Sequence, residues 1–174
     1  MHHIYQTEGI VLSGVNFGEA NRYVQVFTKD FGLVMCSVQG IRLLKSKLRY
    51  SLQDFSHCTL SLVKGKNIWK ITNAAELSSL RHIFREDQRK FEVCSRVLAL
   101  IRRMLAGEEK NEILFSMVRD AFQHLRLEIS TESDIKNFEC VLVLRILHNL
   151  GYLGTEGNLS QFTQTLEWNE GLLR

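Results

Sequence analysis

Arg42, Lys45, Lys47 and Arg49 place four cations, with no acid among them, inside the twelve residues from Gln39 to Tyr50. Guanidinium and ammonium groups at that density can track the phosphates of a polyanion. The stretch follows Leu33 to Val38, an apolar run that reads as a β-strand, so the cations sit on a connection leaving a sheet. Tyr50 closes it and is expected to face solvent, where a ring can stack on an unpaired base. Taken alone, the same residues would also make an ordinary solvated surface connection. The charge around them favours the binding role.

The whole chain of 174 residues carries a formal net charge of only +3. Residues 1–75 hold nine Lys and Arg against four acids, a net +5, whereas residues 76–174 hold thirteen against fifteen, a net −2. Lys64, Lys66 and Lys70 belong to the basic half and extend its field around a Gly-Asn turn. Such asymmetry points to a polyanion-binding module joined to a near-neutral one.

Residue types suited to catalysis do not assemble into a recognisable constellation. The chain has no Gly-x-x-x-x-Gly-Lys-[Ser/Thr] loop, no Gly-x-Gly-x-x-Gly after a strand, no His-Glu-x-x-His and no Gly-x-Ser-x-Gly. His57 and Cys58 are adjacent on an alternating strand, so they point to opposite faces and cannot share a proton. The expectation is a protein that binds without covalent chemistry. Cys36, Cys58, Cys94 and Cys140 are scattered in apolar surroundings with no Cys-x-x-Cys spacing, which predicts buried reduced thiols, no structural metal and no cofactor. No uninterrupted apolar run is long enough to span a bilayer, and the N-terminal residues do not read as a secretory signal. A cytoplasmic, nucleoid-associated location is the expectation.

Two periodicities must position the basic residues. Up to about residue 75 the pattern alternates: Gly9 to Ser13, Asn21 to Thr28, Leu33 to Val38, Leu52 to Val63 and Ile68 to Thr72 read as five short strands. Trp69 is expected on a buried face. Beyond Ala74 the period becomes that of a helix. Phe91 to Leu105, Leu114 to Leu125 and about Asp134 to Asn149 carry apolar residues at i, i+3, i+4 and i+7. Thr131 and Asp134 resemble a capping box opening the last and most apolar of these. The expected architecture is α+β in the order β then α. It has a five-stranded OB-type barrel over residues 1–75 and an all-α bundle over residues 76–174.

The order of motifs resembles the bacterial recombination mediator RecO family. Thr7-Glu8-Gly9-Ile10-Val11-Leu12 resembles its first strand. Gly18-Glu19-Ala20-Asn21-Arg22 through Phe27-Thr28, followed by Gly32, resembles its Gly-Glu-x-x-Arg/Lys pattern and next strand. Gln39-Gly40-Ile41-Arg42 through Lys45-Ser46 resembles its Lys-Gly-x-Arg segment. Leu52-Gln53-Asp54-Phe55 resembles its Leu-Gln-Pro-Phe, with Asp54 in place of proline, and Leu147 to Leu153 resembles its Leu-Gly-Tyr signature. The resemblance implies an N-terminal OB domain and a C-terminal helical domain. It also implies binding of single- and double-stranded DNA, strand annealing, and help in loading RecA recombinase onto coated single strands. The implied partners are RecR and the acidic C-terminal tail of the single-stranded DNA-binding protein. Arg22, Arg42, Lys45 and Lys47 are the DNA-binding candidates carried over by position; Arg49, Tyr50, Lys64, Lys66 and Lys70 join them on charge and stacking. The zinc-binding cysteines of many members have no counterpart after Gly154, so no zinc is carried over.

The competing reading is an interaction scaffold whose basic barrel or helical domain binds an acidic protein tail, with little DNA binding. Arg102, Arg103 and Arg145 on the helical half are its candidates for clamping carboxylates. A hydrolase or nuclease with dispersed residues stands third.

Overall fold

The computed structural model describes residues 3–154, 160–163 and 168. Its first half is built from strands β1 (Ile4–Phe17), β2 (Asn21–Thr28), β3 (Gly32–Val38), β4 (Ser56–Lys64) and β5 (Trp69–Ser79). They close into a barrel in the order β1-β2-β3-β5-β4, with β4 returning to pair with β1. All pairs are antiparallel except β3–β5, where Cys36 and Ser37 lie beside Trp69 and Lys70. A parallel pair requires a crossover rather than a hairpin. Part of that crossover is the basic stretch, which contains the single-turn helix α1 (Leu48–Ser51). The result is an α+β chain whose barrel is OB-fold-like.

The strands differ from the sequence expectation by more than one residue at four ends; β1 runs on to Phe17 because Asn16 and Phe17 stay paired with Arg22 and Asn21 of β2, and the other three have local reasons as well. β1 starts at Ile4 because Ile4 and Tyr5 pair with Val63 and Leu62 of β4. β4 starts at Ser56 rather than Leu52, because Leu52 caps α1 and Phe55 takes a left-handed backbone (φ 71) that a strand cannot contain. β5 runs on to Ser79, since register shifts between His57 and Cys58 and between Ser61 and Leu62 keep it paired to β4.

The barrel is filled by the inward faces of its strands, among them Val11, Val24, Val26, Val34, Cys36, Leu60, Leu62 and Trp69. Part of its outer face is covered by the helices α2 (Leu80–Ile83), α3 (Gln88–Met104) and α4 (Glu112–Leu127), with α5 (Glu132–Asn149) packed on α3 and α4 and α6 (Ser160–Thr163) on α5. Ile10, Leu12, Phe27 and Leu33 point outward into the helical core, where the Phe27 and Phe115 rings lie 5.3 Å apart. Side chains cap the three long helices: Asp87 accepts from Lys90 N, Asn111 from Leu114 N and Thr131 from Asp134 N. Among the described residues no helix is long and apolar enough to cross a membrane.

The cysteines need one correction. Cys36, Cys58 and Cys94 are buried, but Cys140 is exposed, because it lies on the side of α5 turned away from the packed face of Phe138, Val141 and Leu142. All four are free thiols, and among the described residues no three His, Cys, Asp or Glu side chains are placed to hold a metal ion.

Candidate nucleic-acid interface

The connection leaving β3 is compact because it folds as consecutive turns. Leu43 N donates to Gly40 O, Ser46 N to Leu43 O and Arg49 N to Ser46 O. Gly40, at φ +64, supplies the left-handed residue that starts the series. Two contacts pin it to the β1–β2 turn: Arg42 N donates to Ala20 O, and Arg42 Nη1 donates to Gly18 O at 3.1 Å. Ile41 is buried beneath, joining the barrel core.

Arg22 closes the same end of the barrel. Its Nη1 donates to Leu52 O at 3.2 Å and its Nη2 to Asp54 Oδ1 at 2.7 Å. The guanidinium lies against Gly14, in space that any Cβ at that position would occupy. Asp54, the acid beside the basic stretch, is therefore the counterion of Arg22.

These elements enclose an open groove of about 550 Å³. Arg22, Arg42, Arg49 and Arg81 line it, with Asn16, Ile41, Gln53 and Asp54. Four guanidinium groups face one carboxylate, and that carboxylate is already paired. Arg81 enters from α2, with its guanidinium carbon 5.4 Å from the Phe55 ring and 5.5 Å from the Phe91 ring. Stacked in this way, it is oriented without its charge being neutralised.

The sequence-predicted residues divide into groups. Arg22, Arg42 and Arg49 meet in the groove. Lys45 and Lys47 are exposed on the same crossover but do not line it. Tyr50 is 69% exposed and lines a neighbouring cavity of about 270 Å³ with Gln53, Glu76 and His82. Lys64 bonds Glu108 at 3.1 Å and sits 5.2 Å over the Trp69 ring, in a separate cavity; Lys66 and Lys70 are exposed and outside the groove lining. Arg81 is not signalled by the sequence pattern, because it lies beyond the run of strands that carries the other basic residues.

Arg102 and Arg103 are exposed on the last turn of α3. Arg145 is 1% exposed; its Nε donates to Phe162 O at 2.9 Å and its guanidinium lies 4.3 Å from the Trp168 ring. Burial holds its pKa below the usual arginine value.

A second pocket, of about 270 Å³, lies where β5 and α2 meet α4. Ile10, Leu77, Leu80, Ile83 and Phe122 provide its apolar walls, and Arg119 and Arg126 its charges. His57 borders it with Nε2 3.2 Å from Glu8 Oε2, and Arg119 approaches the same carboxylate at 3.9 Å. Burial holds the imidazole below its ordinary pKa, against the opposing pull of Glu8.

Fold and groove together define an OB-fold-like barrel with an arginine-lined cleft at one end and a helical domain packed on its flank. Residues 1–80 match the family model "Recombination protein O N terminal". The DNA repair protein RecO of Rubrobacter xylanophilus is 30% identical over 135 residues, covering 68% of this chain and 54% of that protein. The namesake of Thermodesulfovibrio yellowstonii is 29% identical over 164 residues (94% and 64%), and that of Synechocystis sp. 30% over 164 residues (93% and 57%). The chain belongs to the RecO family. It spans between about half and two thirds of the length of these relatives.

Proposed function

We propose that this chain serves DNA repair and recombination by binding DNA in the arginine-lined groove. In this reading it anneals complementary single strands and helps load recombinase onto protein-coated single-stranded DNA. The observation that carries the reading is the convergence of Arg22, Arg42, Arg49 and Arg81 on one open groove, in a chain of this family. Annealing requires that two phosphate chains be held on a cationic surface with their repulsion screened. That needs no covalent step, so the protein acts as a binder and not as an enzyme.

Anisotropy of labelled single-stranded and duplex oligonucleotides across a salt series tests it. The parent is expected to bind with a steep salt dependence. The triple variant Lys45→Ala, Lys47→Ala, Arg49→Ala is expected to lower the log–log slope by about one to three units. Absence of parent binding at low salt overturns the reading.

The second pocket favours a partner role beside DNA binding. Apolar walls flanked by two arginines suit a short acidic segment that also carries apolar side chains, and the acidic C-terminal tail of the single-stranded DNA-binding protein is the partner in this reading. RecR is the other partner in this reading. A labelled acidic-tail peptide is expected to bind the parent and to bind Arg126→Ala at least about fivefold more weakly. Equal binding by the two removes the pocket from the reading.

A further inference from the structure

The outer face of the barrel beside the groove carries a cluster of uncovered apolar and aromatic residues. In β1 Ile10 and Leu12, on either side of the inward-facing Val11, point outward under the helices. The register with β2 then shifts between Val11 and Ser13. After this irregularity Ser13, Val15 and Phe17 oppose Gln25, Tyr23 and Asn21, so the odd-numbered residues take the outward face. Without the shift, Gly14 and Asn16 would stand there instead. On β3, Ser37 opposes Tyr23 and Met35 opposes Gln25.

The outcome is a platform centred on Tyr23. Phe17 packs against it with ring centroids 5.0 Å apart and planes tilted by 41°. Val15 is 71%, Phe17 55% and Met35 47% exposed, and the helices that cover Phe27 on the same sheet do not cover these. Isolated surface apolar residues need no explanation, but three exposed ones around a half-buried tyrosine at one end of one sheet face do.

The platform and the cationic groove share the β1–β2 end, on opposite faces of the same two strands, so a ligand passes from one to the other over the tip of the hairpin. Asn16, between Val15 and Phe17, lines the groove, and Arg22, beside Tyr23, lines it from β2. Arg42 donates to Gly18 O in the turn that joins the two strands. A ligand reaching from one surface to the other would present anionic groups to the arginines and flat apolar rings to Phe17 and Tyr23. Single-stranded nucleic acid has that chemistry. A duplex does not, because its bases are already paired and stacked.

We propose that Phe17 and Tyr23, supported by Val15 and Met35, form a stacking platform for the unpaired bases of a single strand whose phosphates lie in the arginine groove. This rests on the DNA-binding reading above and adds to it a source of preference for single strands over duplex. Charge supplies binding to both forms; the rings supply the difference between them.

The test compares parent, the double variant Phe17→Ala, Tyr23→Ala, and the ring-preserving Phe17→Tyr, Tyr23→Phe on a labelled poly-dT strand and on a duplex of mixed sequence. Thermal melts confirm that each variant is folded. The alanine pair is expected to weaken poly-dT binding about tenfold or more, to change duplex binding less than about twofold, and to leave the salt slope unaltered. The ring-preserving pair is expected to stay within about threefold of the parent on both. Equal poly-dT affinity of parent and alanine pair overturns the platform while leaving DNA binding in place. A parent that binds neither nucleic acid overturns the DNA-binding reading itself. Sedimentation showing a dimeric parent and a monomeric alanine pair, with poly-dT affinity unchanged, would assign the face to self-association and overturn the platform.

Discussion

Arg22 and Asp54, thirty-two positions apart in sequence, meet at 2.7 Å across the end of the barrel, with the backbone oxygen of Leu52 accepting a second hydrogen bond from the same guanidinium. Among the described residues Asp54 is the one carboxylate lining the groove, and its side chain retains 34% exposure. Its charge therefore acts on two things together, the anchoring of Arg22 and the field felt by an incoming anion. In Asp54→Asn the second hydrogen bond of Arg22 persists, so the barrel end should stay closed. Urea melts are expected to show a loss of about 1 kcal/mol. Single-strand affinity at low salt is expected to rise by about threefold as the opposing charge is removed, and unchanged or weaker binding would show that Arg22 needs the carboxylate to face the ligand.

Much of this arrangement could be read from residue pattern, and the parts that could not share a cause. β2 and β3 follow alternation because Val24, Val26, Val34 and Cys36 fill the barrel while their neighbours face outward. Trp69 is 3% exposed, as its strand face implied. α4 and α5 follow their helical period because Leu114, Val118, Phe122 and Phe138, Leu142, Ile146 fill one core. What pattern cannot carry is a shift of register or a long-range pairing. The irregularity between Val11 and Ser13 that exposes Phe17 leaves no mark in composition. Arg81 reaches the groove only because α2 follows β5 directly, and Lys64 is drawn to Glu108 by packing that no local signal announces.

Two glycines separate a local adjustment from a structural failure. A Cβ at Gly14 would meet the Arg22 guanidinium, the far end of a flexible side chain, whereas one at Gly32 would meet the backbone of Glu109 from a residue already at φ +66. Gly32 also begins β3 where Leu33 N donates to Gly107 O, tying the barrel to the α3–α4 connection. Gly14→Ala is expected to fold with a loss of about 1 kcal/mol while weakening oligonucleotide binding through a displaced Arg22. Gly32→Ala is expected to lose about 3 kcal/mol or more, or fail to fold. Equal melting midpoints for the two variants would contradict this geometry.

The thiols should differ by location. Burial pushes Cys36 and Cys58 up to about 12 and raises Cys94 as well, while Cys140 stands exposed on α5. Because the thiolate is the reactive form, a colorimetric thiol reagent at neutral pH is expected to modify one cysteine of the folded chain promptly, and all four only in denaturant. Cys140→Ser should abolish the fast phase. A surviving fast phase would mean that one of the barrel or α3 cysteines opens readily to solvent.

His57 makes the contact between barrel and helices sensitive to acid. Its ring faces Phe115 with centroids 6.0 Å apart, and its Nε2 is 3.2 Å from Glu8, whose carboxylate also attracts Arg119. Desolvation outweighs Glu8 and holds the folded pKa below the ordinary 6.5; the Arg119 charge pushes the same way. His124, in the last turn of α4 and stacked on Phe138 of α5, is lowered as well, first by burial and also by Arg145, against Glu128. A histidine with a depressed folded pKa binds its proton more readily in the unfolded chain. Folding stability should therefore be fully retained above about 6.5 and should fall as the pH drops through 6.5 toward the folded pKa. Urea midpoints measured from neutral pH down through that window should show the decline. His57→Gln should make it shallower, because a neutral amide can face Glu8 without titrating. An unchanged slope in that variant would place the acid sensitivity at His124 or among the carboxylates, and would leave the barrel–helix contact indifferent to pH.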